Sequence, residues 1–334
     1  MSKPFEAFFI EKGRSVPEMP KGIRILTAAE AAQVNLGPLA QLQGKWKSKD
    51  VKPALIASGW NVISVPGPIN PPPPPPAKLD GFVLEVIPYT EELTFCPVVT
   101  AGNRGPFAAD GSTENDQSIT GLLYEQIIKS ACPGNKPCTQ RGFPNGSVIH
   151  AERGLFLFVT NFNNNFDIAR LSVIPHGNSV LALGQSFVGP PANNQFPGTA
   201  STLPTTLNGT PIPGYGDDQF NGEQFNGIFE QKNPNSFLIG ELGNQKITNM
   251  TTLVFDTKNP NGGILNIPFI AQNINATTLH AIFWIEQIQG QQQLQLQYTQ
   301  TIGLVFPPTG TLTPVIWPHV TINTLIKIAD HCDE

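Results

Sequence analysis

Two segments decide the fold class, LHAIFWIEQIQGQQQLQLQYTQTIGLVF at residues 279–306 and VIWPHVTINTLIK at residues 315–327. Residues 294–306 alternate between two faces with a period of two, which is typical of a β-strand with one buried face. The run FWIEQI predicts a second strand with a hairpin turn at Gln289–Gln292. In the second segment, the β-branched residues predict a third strand over Val320–Ile326. One face of the alternating strand consists of Leu294, Leu296, Tyr298, Gln300, Ile302, Leu304 and Phe306.

The composition favours the same kind of element throughout the chain. At 334 residues, the chain is long enough for two domains or for one large β-barrel or sandwich. Only 13% of the residues are charged, while 33 prolines and 31 glycines disfavour long helices and suit strands joined by turns. No strand–helix–strand rhythm and no internal repeat is present. We therefore predict an all-β fold, a large antiparallel up-and-down β-barrel with short N-terminal helices.

The sequence predicts one main domain. Residues 1–35 form an arm and a short helix, for which Thr27–Glu30 supplies a capping box, and residues 36–334 form the barrel. Gly44–Trp46 before a strand is typical of the start of a small barrel, where the indole packs across the closed end. Residues 188–232, rich in Pro, Gly, Asn and Thr, predict a long loop that covers the mouth of the barrel.

Several short runs predict individual elements. The Pro71–Pro76 tract predicts an exposed polyproline II segment. Strands at Gly81–Tyr89 and Leu93–Val99 are predicted to form a hairpin that turns at the intervening Thr-Glu-Glu. Further strands are predicted at Ser236–Leu242 and Ile264–Ile270, at the spacing typical of an all-β fold.

The charge pattern and the start of the chain bound location and partners. A net charge of −5 without blocks of like sign argues against nucleic acid and against an anionic membrane surface. No apolar run is long enough to span a membrane, and the first residues lack the features of a secretory signal peptide. We therefore expect a soluble, cytoplasmic protein whose partner is a small apolar ligand, and this expectation is compatible with a homo-oligomer.

The four cysteines are too few for a disulfide scaffold in a chain of this length. Cys96 lies in an apolar strand-like run and is predicted to be a buried thiol. Cys132 and Cys138 flank the turn PGNKP, and the sequence leaves a disulfide and two free thiols open as alternatives.

Sequence signatures of common enzymes are absent, which directs attention to the five histidines. The chain has no G-x-S-x-G, no GxxxxGK[ST], no H-E-x-x-H and no EF-hand loop. His150 and Glu152 are two residues apart on a predicted strand, so their side chains share a face and an imidazole–carboxylate contact is easy to form. Such a pair is a candidate general acid/base, and a solvent-facing pair without function is the alternative.

Two further histidines have a distinctive context. His319 follows Trp317-Pro318, which fixes an extended approach to the last predicted strand. A rigidly held histidine that faces a cavity suits axial ligation of haem iron, and a hydrogen-bonded structural histidine is the alternative. His176 lies in a predicted Pro-His-Gly-Asn turn, and the alternative to a function is that the turn merely tolerates a histidine at this position.

Several segments resemble, in the same order, a family of bacterial and fungal β-barrel proteins described as haem-binding or uncharacterised. That family is in turn similar to nitrobindins and to lipocalin- and fatty-acid-binding-type barrels, in which a G-x-W opens the barrel. The resemblance implies haem b as cofactor, with His319 as the iron ligand and His176, Trp46 and Trp317 as further cofactor-binding residues. The segments are LGPLAQLQGKWK, GWNVISVP, LEVIPYTEELTFCPV, NRG, GLLYEQI, VIHAERGLFLFV, SVIPHGNSVLALG, GGILNIPF, FWIEQI, LQLQYTQTI and IWPHVTINTL.

Three functions remain as hypotheses. The first is binding of haem b or a similar apolar molecule inside the barrel, with His319 as ligand. The second is an enzyme, either a haem peroxidase type or a cofactor-free catalyst acting on a lipophilic substrate, with His150 and Glu152 as acid/base residues. The third is a structural or interaction protein, which the Pro71–Pro76 tract suggests.

Overall fold

The computed structural model describes most of the chain from residue 30 onward. The described residues are 30, 32–50, 57–67, 81–103, 105, 116–131, 144–160, 166–191, 196–211, 233–307 and 313–332. Predictions for the arm of residues 1–29, for Pro71–Pro76 and for Cys132 and Cys138 lie outside them.

The described part of the chain contains twelve strands and three helical segments with defined ends. The helical segments are a 3₁₀ helix at Gly37–Leu42, α1 at Asn235–Leu242 and α2 at Pro268–Asn273. The strands are β1 Gly44–Ser48, β2 Gly59–Gly67, β3 Gly81–Asn103, β4 Gln117–Ser130, β5 Val148–Val159, β6 Ile168–Ile174, β7 Asn178–Gly189, β8 Ile247–Asp256, β9 Gly263–Asn266, β10 Asn275–Ile288, β11 Gln295–Phe306 and β12 Val315–Ala329.

These strands form a closed antiparallel β-barrel, which confirms the predicted fold class. The wall runs β12–β11–β10–β8–β7–β6–β5–β4–β3, and β9 lies off this path against β7. The remaining position is shared by β1 and β2, because each pairs with β3 on one side and with β12 on the other. The wall therefore has ten positions, and its closure leaves no long unpaired edge.

The hairpin predicted within residues 279–306 is present. β10 and β11 pair from Asn275 opposite Val305 to Glu286 opposite Gln295. Period-2 alternation orients the face that contains Tyr298 and Gln300 toward the barrel interior. The opposite face was expected to be solvated, but Gln295 and other residues of that face are buried because α1 packs on the outside of the barrel there.

The described residues of the barrel form two apolar clusters. One fills the interior at the end closed by the 3₁₀ helix, where Trp46 packs as predicted. The other lies on the outside of the wall, since Val320 and Ile322 alternate along β12 with the inward-facing His319 and Thr321. Phe237, on α1, belongs to this outer cluster.

Three predicted elements are wrong. Thr-Glu-Glu at 90–92 is no turn, because β3 continues through it to pair with β2 and then with β1. Ser236–Leu242 is helical, since a short apolar run does not distinguish a strand from a buried helix face. Of Ile264–Ile270 only the first residues are a strand, and Pro268 starts α2.

Part of the predicted long loop is described and lies on the outer wall. Residues 196–211 form an antiparallel bridge from Thr205 to Ile316 of β12. Ser64 Oγ also donates a hydrogen bond to the Thr202 carbonyl oxygen at 2.7 Å. This described part does not cover the interior cavity. No helix within the described ranges is long and apolar enough to cross a bilayer.

Candidate functional site

A cavity of ≈ 280 Å³ lies inside the barrel at the end that carries the β6–β7 turn and α2. Its lining consists of aliphatic residues and a smaller number of polar residues. The aliphatic residues are Ile128, Ile149, Ile174, Val180, Ile264, Ile270, Ile274, Ala276, Ile302 and Leu304. The polar residues are Asn61, Gln126, His150, His176, Asn178, Gln300, His319 and Thr321.

The fold brings all three histidines singled out from the sequence into this one cavity. His150 comes from β5, His176 from the β6–β7 turn and His319 from β12. The rings of His150 and His176 have centroids 5.8 Å apart. Nothing in their sequence separation predicts this convergence. Among the described residues, no group of three or more His, Cys, Asp and Glu side chains is placed to hold a metal ion.

His319 presents an unpartnered nitrogen. Its Nε2 atom is buried and has no hydrogen-bond partner among the described residues. Burial, followed by the charges of His150 and His176, lowers the pKa of His319 to about 4. Burial also lowers the pKa of His176, with a smaller contribution from the charge of His150. His319 is therefore neutral near pH 7, which leaves one ring nitrogen with a free lone pair or a free N–H.

His150 rests on a buried ion pair. Its Nε2 lies 3.2 Å from Glu152 Oε2, while Arg170 Nη2 donates to Glu152 Oε1 at 2.7 Å. The hydroxyl of Tyr124 also donates to Glu152 Oε1, and Arg170 Nη1 donates to Gln300 Oε1 at 2.7 Å. Burial alone would raise the pKa of the Glu152 carboxyl, but the Arg170 charge and the contact with His150 hold that pKa well below its ordinary value. Glu152 is consequently an anion that fixes the orientation of His150.

A second buried network lies beside the first. Three O···O contacts of 2.8 Å join Glu91 Oε2 to the Tyr298 hydroxyl, that hydroxyl to the Tyr89 hydroxyl, and Tyr89 to the Ile322 carbonyl oxygen. The Tyr298 hydroxyl donates to Glu91 Oε2, which also accepts from Asn323 Nδ2 at 2.7 Å. The Tyr89 hydroxyl donates to the Ile322 carbonyl oxygen. Burial raises the pKa of Glu91, and its hydrogen bonds, the one from Gln126 first, offset only part of that effect.

The two tryptophans predicted to contact a cofactor do not line the cavity. Trp46 Nε1 donates to the Leu42 carbonyl oxygen at 2.7 Å within the closed end of the barrel. Trp317 belongs to the outer cluster and stacks on Phe306 at a centroid distance of 5.4 Å. Their predicted part in cofactor binding has no support in this geometry.

The sequence interpretation missed the polar residues beneath the cavity. Glu91 was assigned to a turn, and Arg170, Gln126 and Gln300 were not singled out. A signal was present: Arg170 lies within the short apolar run IARLSVI. Gln300 likewise interrupts a face of β11 that is otherwise apolar or aromatic, and Gln126 lies between Tyr124 and Ile128 on one face of β4. A polar residue on a face predicted to be buried is informative.

Fold and cavity together define a closed antiparallel β-barrel with an interior site that contains histidines. No protein-family model and no curated protein matches the chain. The chain is similar to the crystal structure of Rv2717c from M. tuberculosis, with 13% sequence identity, a TM-score of 0.32 and coverage of 84% of this chain and 99% of that chain. That identity and TM-score support no inference about function, so the resemblance to a haem-binding family stays a prediction.

Proposed function

We propose that this protein binds a compact, largely apolar molecule in the barrel cavity, and that His319 makes a polar contact to it. The observation that carries the proposal is the mainly aliphatic cavity, whose lining includes His319, a residue with an enclosed and unpartnered Nε2. Buried polar atoms in folded proteins are nearly always hydrogen-bonded, so the unpartnered Nε2 of His319 calls for a partner. A mainly apolar pocket with few polar groups is the usual form of a small-molecule site.

Haem b is the larger candidate ligand. His319 has the chemistry of an axial ligand, because its imidazole is neutral and one nitrogen is free. The cavity of ≈ 280 Å³ is slightly smaller than the roughly 300–1,000 Å³ of sites for drug-sized ligands. A cavity of this size favours an occupant smaller than a complete porphyrin.

The proposal is tested with the neutral fluorophore 1-aminoanthracene. We expect the wild-type protein to enhance and blue-shift its fluorescence, and His319→Leu to weaken binding about tenfold, because a hydrogen bond of roughly 1.4 kcal/mol is lost. His331→Leu is the matched control, since His331 bonds to Gln43 away from the cavity. If the folded wild-type protein does not take up the dye, the proposal is wrong.

Haem is tested separately by titration with hemin. A Soret band with a histidine-ligated spectrum, abolished by His319→Ala, would establish haem binding through this residue. An unchanged spectrum in that variant would assign the iron to His176 or His150. No Soret band would remove haem from consideration and leave the binding of a smaller molecule intact.

Enzyme activity is a second candidate, favoured by the contact of His150 with Glu152 at the cavity. A carboxylate that orients an imidazole is the arrangement of a general base, which typically contributes about 10²–10⁴ in rate. Glu152→Gln is a poor test because it would leave the Arg170 charge unpaired. We instead expect His150→Asn to slow hydrolysis of 4-nitrophenyl acetate at least about tenfold.

The matched control is His280→Asn, which removes the imidazole of an exposed histidine–aspartate pair with a 3.1 Å contact to Asp256. Equal rates for both variants and the wild-type protein would assign no acid/base role to His150.

A further inference from the structure

We propose that the ligand of this cavity is uncharged and carries a carboxamide-type group, such as an amide, lactam or urea, on its compact apolar body. The inference rests on the proposed ligand-binding function and names the class of ligand. Its basis is the cavity floor, which we define as the lining residues nearest the packed core, Asn61, Gln126, Gln300 and Thr321.

The buried networks below the floor fix which end of Gln126 faces the cavity. Its Nε2 donates to Glu91 Oε1 at 2.6 Å and to the Tyr298 hydroxyl at 3.4 Å. Because a carboxylate oxygen accepts hydrogen bonds, the nitrogen of the Gln126 amide faces Glu91 and its carbonyl oxygen points away from Glu91. The carbonyl oxygen of Gln126 is left without a partner in the described part of the chain. This oxygen is not fully enclosed, and Gln126 belongs to the cavity lining.

Gln300 is fixed in the opposite sense. Arg170 Nη1 donates to its Oε1 at 2.7 Å, and a guanidinium is a donor only. The Nε2 of Gln300 therefore points away from Arg170. No described residue accepts a hydrogen bond from it, and like the Gln126 oxygen it is not fully enclosed.

Gln126 and Gln300 thus offer one amide acceptor and one amide donor to the cavity. A ligand amide has the complementary pair, an N–H for the Gln126 oxygen and a C=O for the Gln300 nitrogen. A ligand without an amide would leave the Gln126 oxygen and the Gln300 nitrogen without hydrogen-bond partners. The site should therefore bind such an analogue more weakly than the amide.

The charges around the floor favour an uncharged ligand over a carboxylate. Arg170 is the cation nearest the floor, but it does not line the cavity. Its nitrogens are bound to Tyr124, Glu152 and Gln300, and its charge is balanced by Glu152. Among the described lining residues a carboxylate would meet no Lys or Arg side chain, and burying it there would be costly.

The test is displacement of 1-aminoanthracene by three compounds of similar shape: phenylacetamide, phenylacetate and propylbenzene. We expect phenylacetamide to compete at least about tenfold better than either analogue. Gln300→Glu preserves the acceptor for Arg170 and replaces the donor on the cavity side by an acceptor. It should abolish the preference for the amide, while Gln292→Glu, the same change in the exposed β10–β11 turn, should leave it unchanged.

The outcomes separate this inference from the function on which it rests. If the dye binds and the three compounds compete equally, or if phenylacetate competes best, the amide inference is wrong and ligand binding stands. If the dye does not bind, the proposed function fails and the inference fails with it. The comparison of compounds on the wild-type protein decides the matter even if Gln300→Glu does not fold.

Discussion

At the scale of single residues, Arg170 and Glu152 are the most consequential pair. Arg170 is buried, and its guanidinium lies 5.4 Å from the centroid of the Tyr124 ring. Arg170→Met would leave an uncompensated anion in the interior, so we expect a loss of about 3–5 kcal/mol in the free energy of unfolding. The double variant Arg170→Met/Glu152→Gln should lose clearly less than the sum of the two single losses.

Urea unfolding measures these values, with Arg153→Met as the matched control. Arg153 pairs with Glu125 on the exposed face, and such a surface pair contributes at most about 1 kcal/mol. Similar losses for Arg170→Met and Arg153→Met would contradict the interpretation of Arg170 as a buried compensating charge.

Glu286 gives a prediction about pH. It is buried, its Oε2 accepts from Gln295 Nε2 at 2.7 Å, and its Oε1 has no partner among the described residues. Burial raises the pKa of Glu286 to about 8 from an ordinary value of 4.5. The folded state therefore holds this proton more tightly than the unfolded chain.

The sign follows from that difference. The stabilising effect of the bound proton is complete below pH 4.5 and is lost as the pH rises through about 8. We expect the free energy of unfolding of the wild-type protein to fall across this range relative to Glu286→Gln, which carries no titratable group there. Chemical unfolding at a series of pH values checks this, with the exposed Glu125→Gln as control. Parallel profiles for wild type and Glu286→Gln would disprove it.

At the scale of elements, the seam between β1 and β12 depends on Gly44. Its φ of +108° disfavours other residues, and an added Cβ would lie 2.1 Å from the Ala329 carbonyl oxygen. Gly290, in the β10–β11 turn, also has positive φ at +77°, but an added Cβ there has open space. Comparing alanine at the two positions separates backbone strain from steric clash.

We expect Gly290→Ala to cost about 1–2 kcal/mol from backbone strain alone. Gly44→Ala should cost about 1–3 kcal/mol more, because the β1–β12 pairing must separate to admit the methyl group. Urea denaturation of both variants provides the comparison. Equal losses at the two positions would mean that the seam adjusts without cost.

Individual elements also mark what the sequence could and could not predict. Alternation alone was sufficient for β11, and the two-residue spacing was sufficient to place His150 and Glu152 on one face. Glu91 was out of reach, because a buried carboxyl in mid-strand is tolerated only through Tyr298, Asn323 and Gln126, which lie on other strands. Convergence of three histidines likewise depends on closure of the whole barrel.

At the scale of the whole molecule, the interior has three zones along the barrel axis. Tightly packed aromatic and aliphatic residues fill the end near Trp46, and the two polar networks follow. The cavity occupies the end beneath α2, a six-residue helix without buried residues. The cavity therefore lies at the end of the barrel covered by a short helix that contributes no buried residue.

This division predicts opposite effects for one substitution made at two positions of β10. Ala276 lines the cavity, whereas Ala281 lies in the packed core. Ala276→Leu places new methyl groups in empty space, so we expect a gain of about 0.5–2 kcal/mol in stability together with loss of 1-aminoanthracene binding. Ala281→Leu overpacks a filled region, so we expect a loss of about 1–3 kcal/mol. Thermal and urea unfolding, with dye titration of each folded variant, measure both quantities. Destabilisation of similar size at both positions would mean that the space beside Ala276 closes up in solution, and a stabilised Ala276→Leu protein that still binds the dye would place the ligand elsewhere.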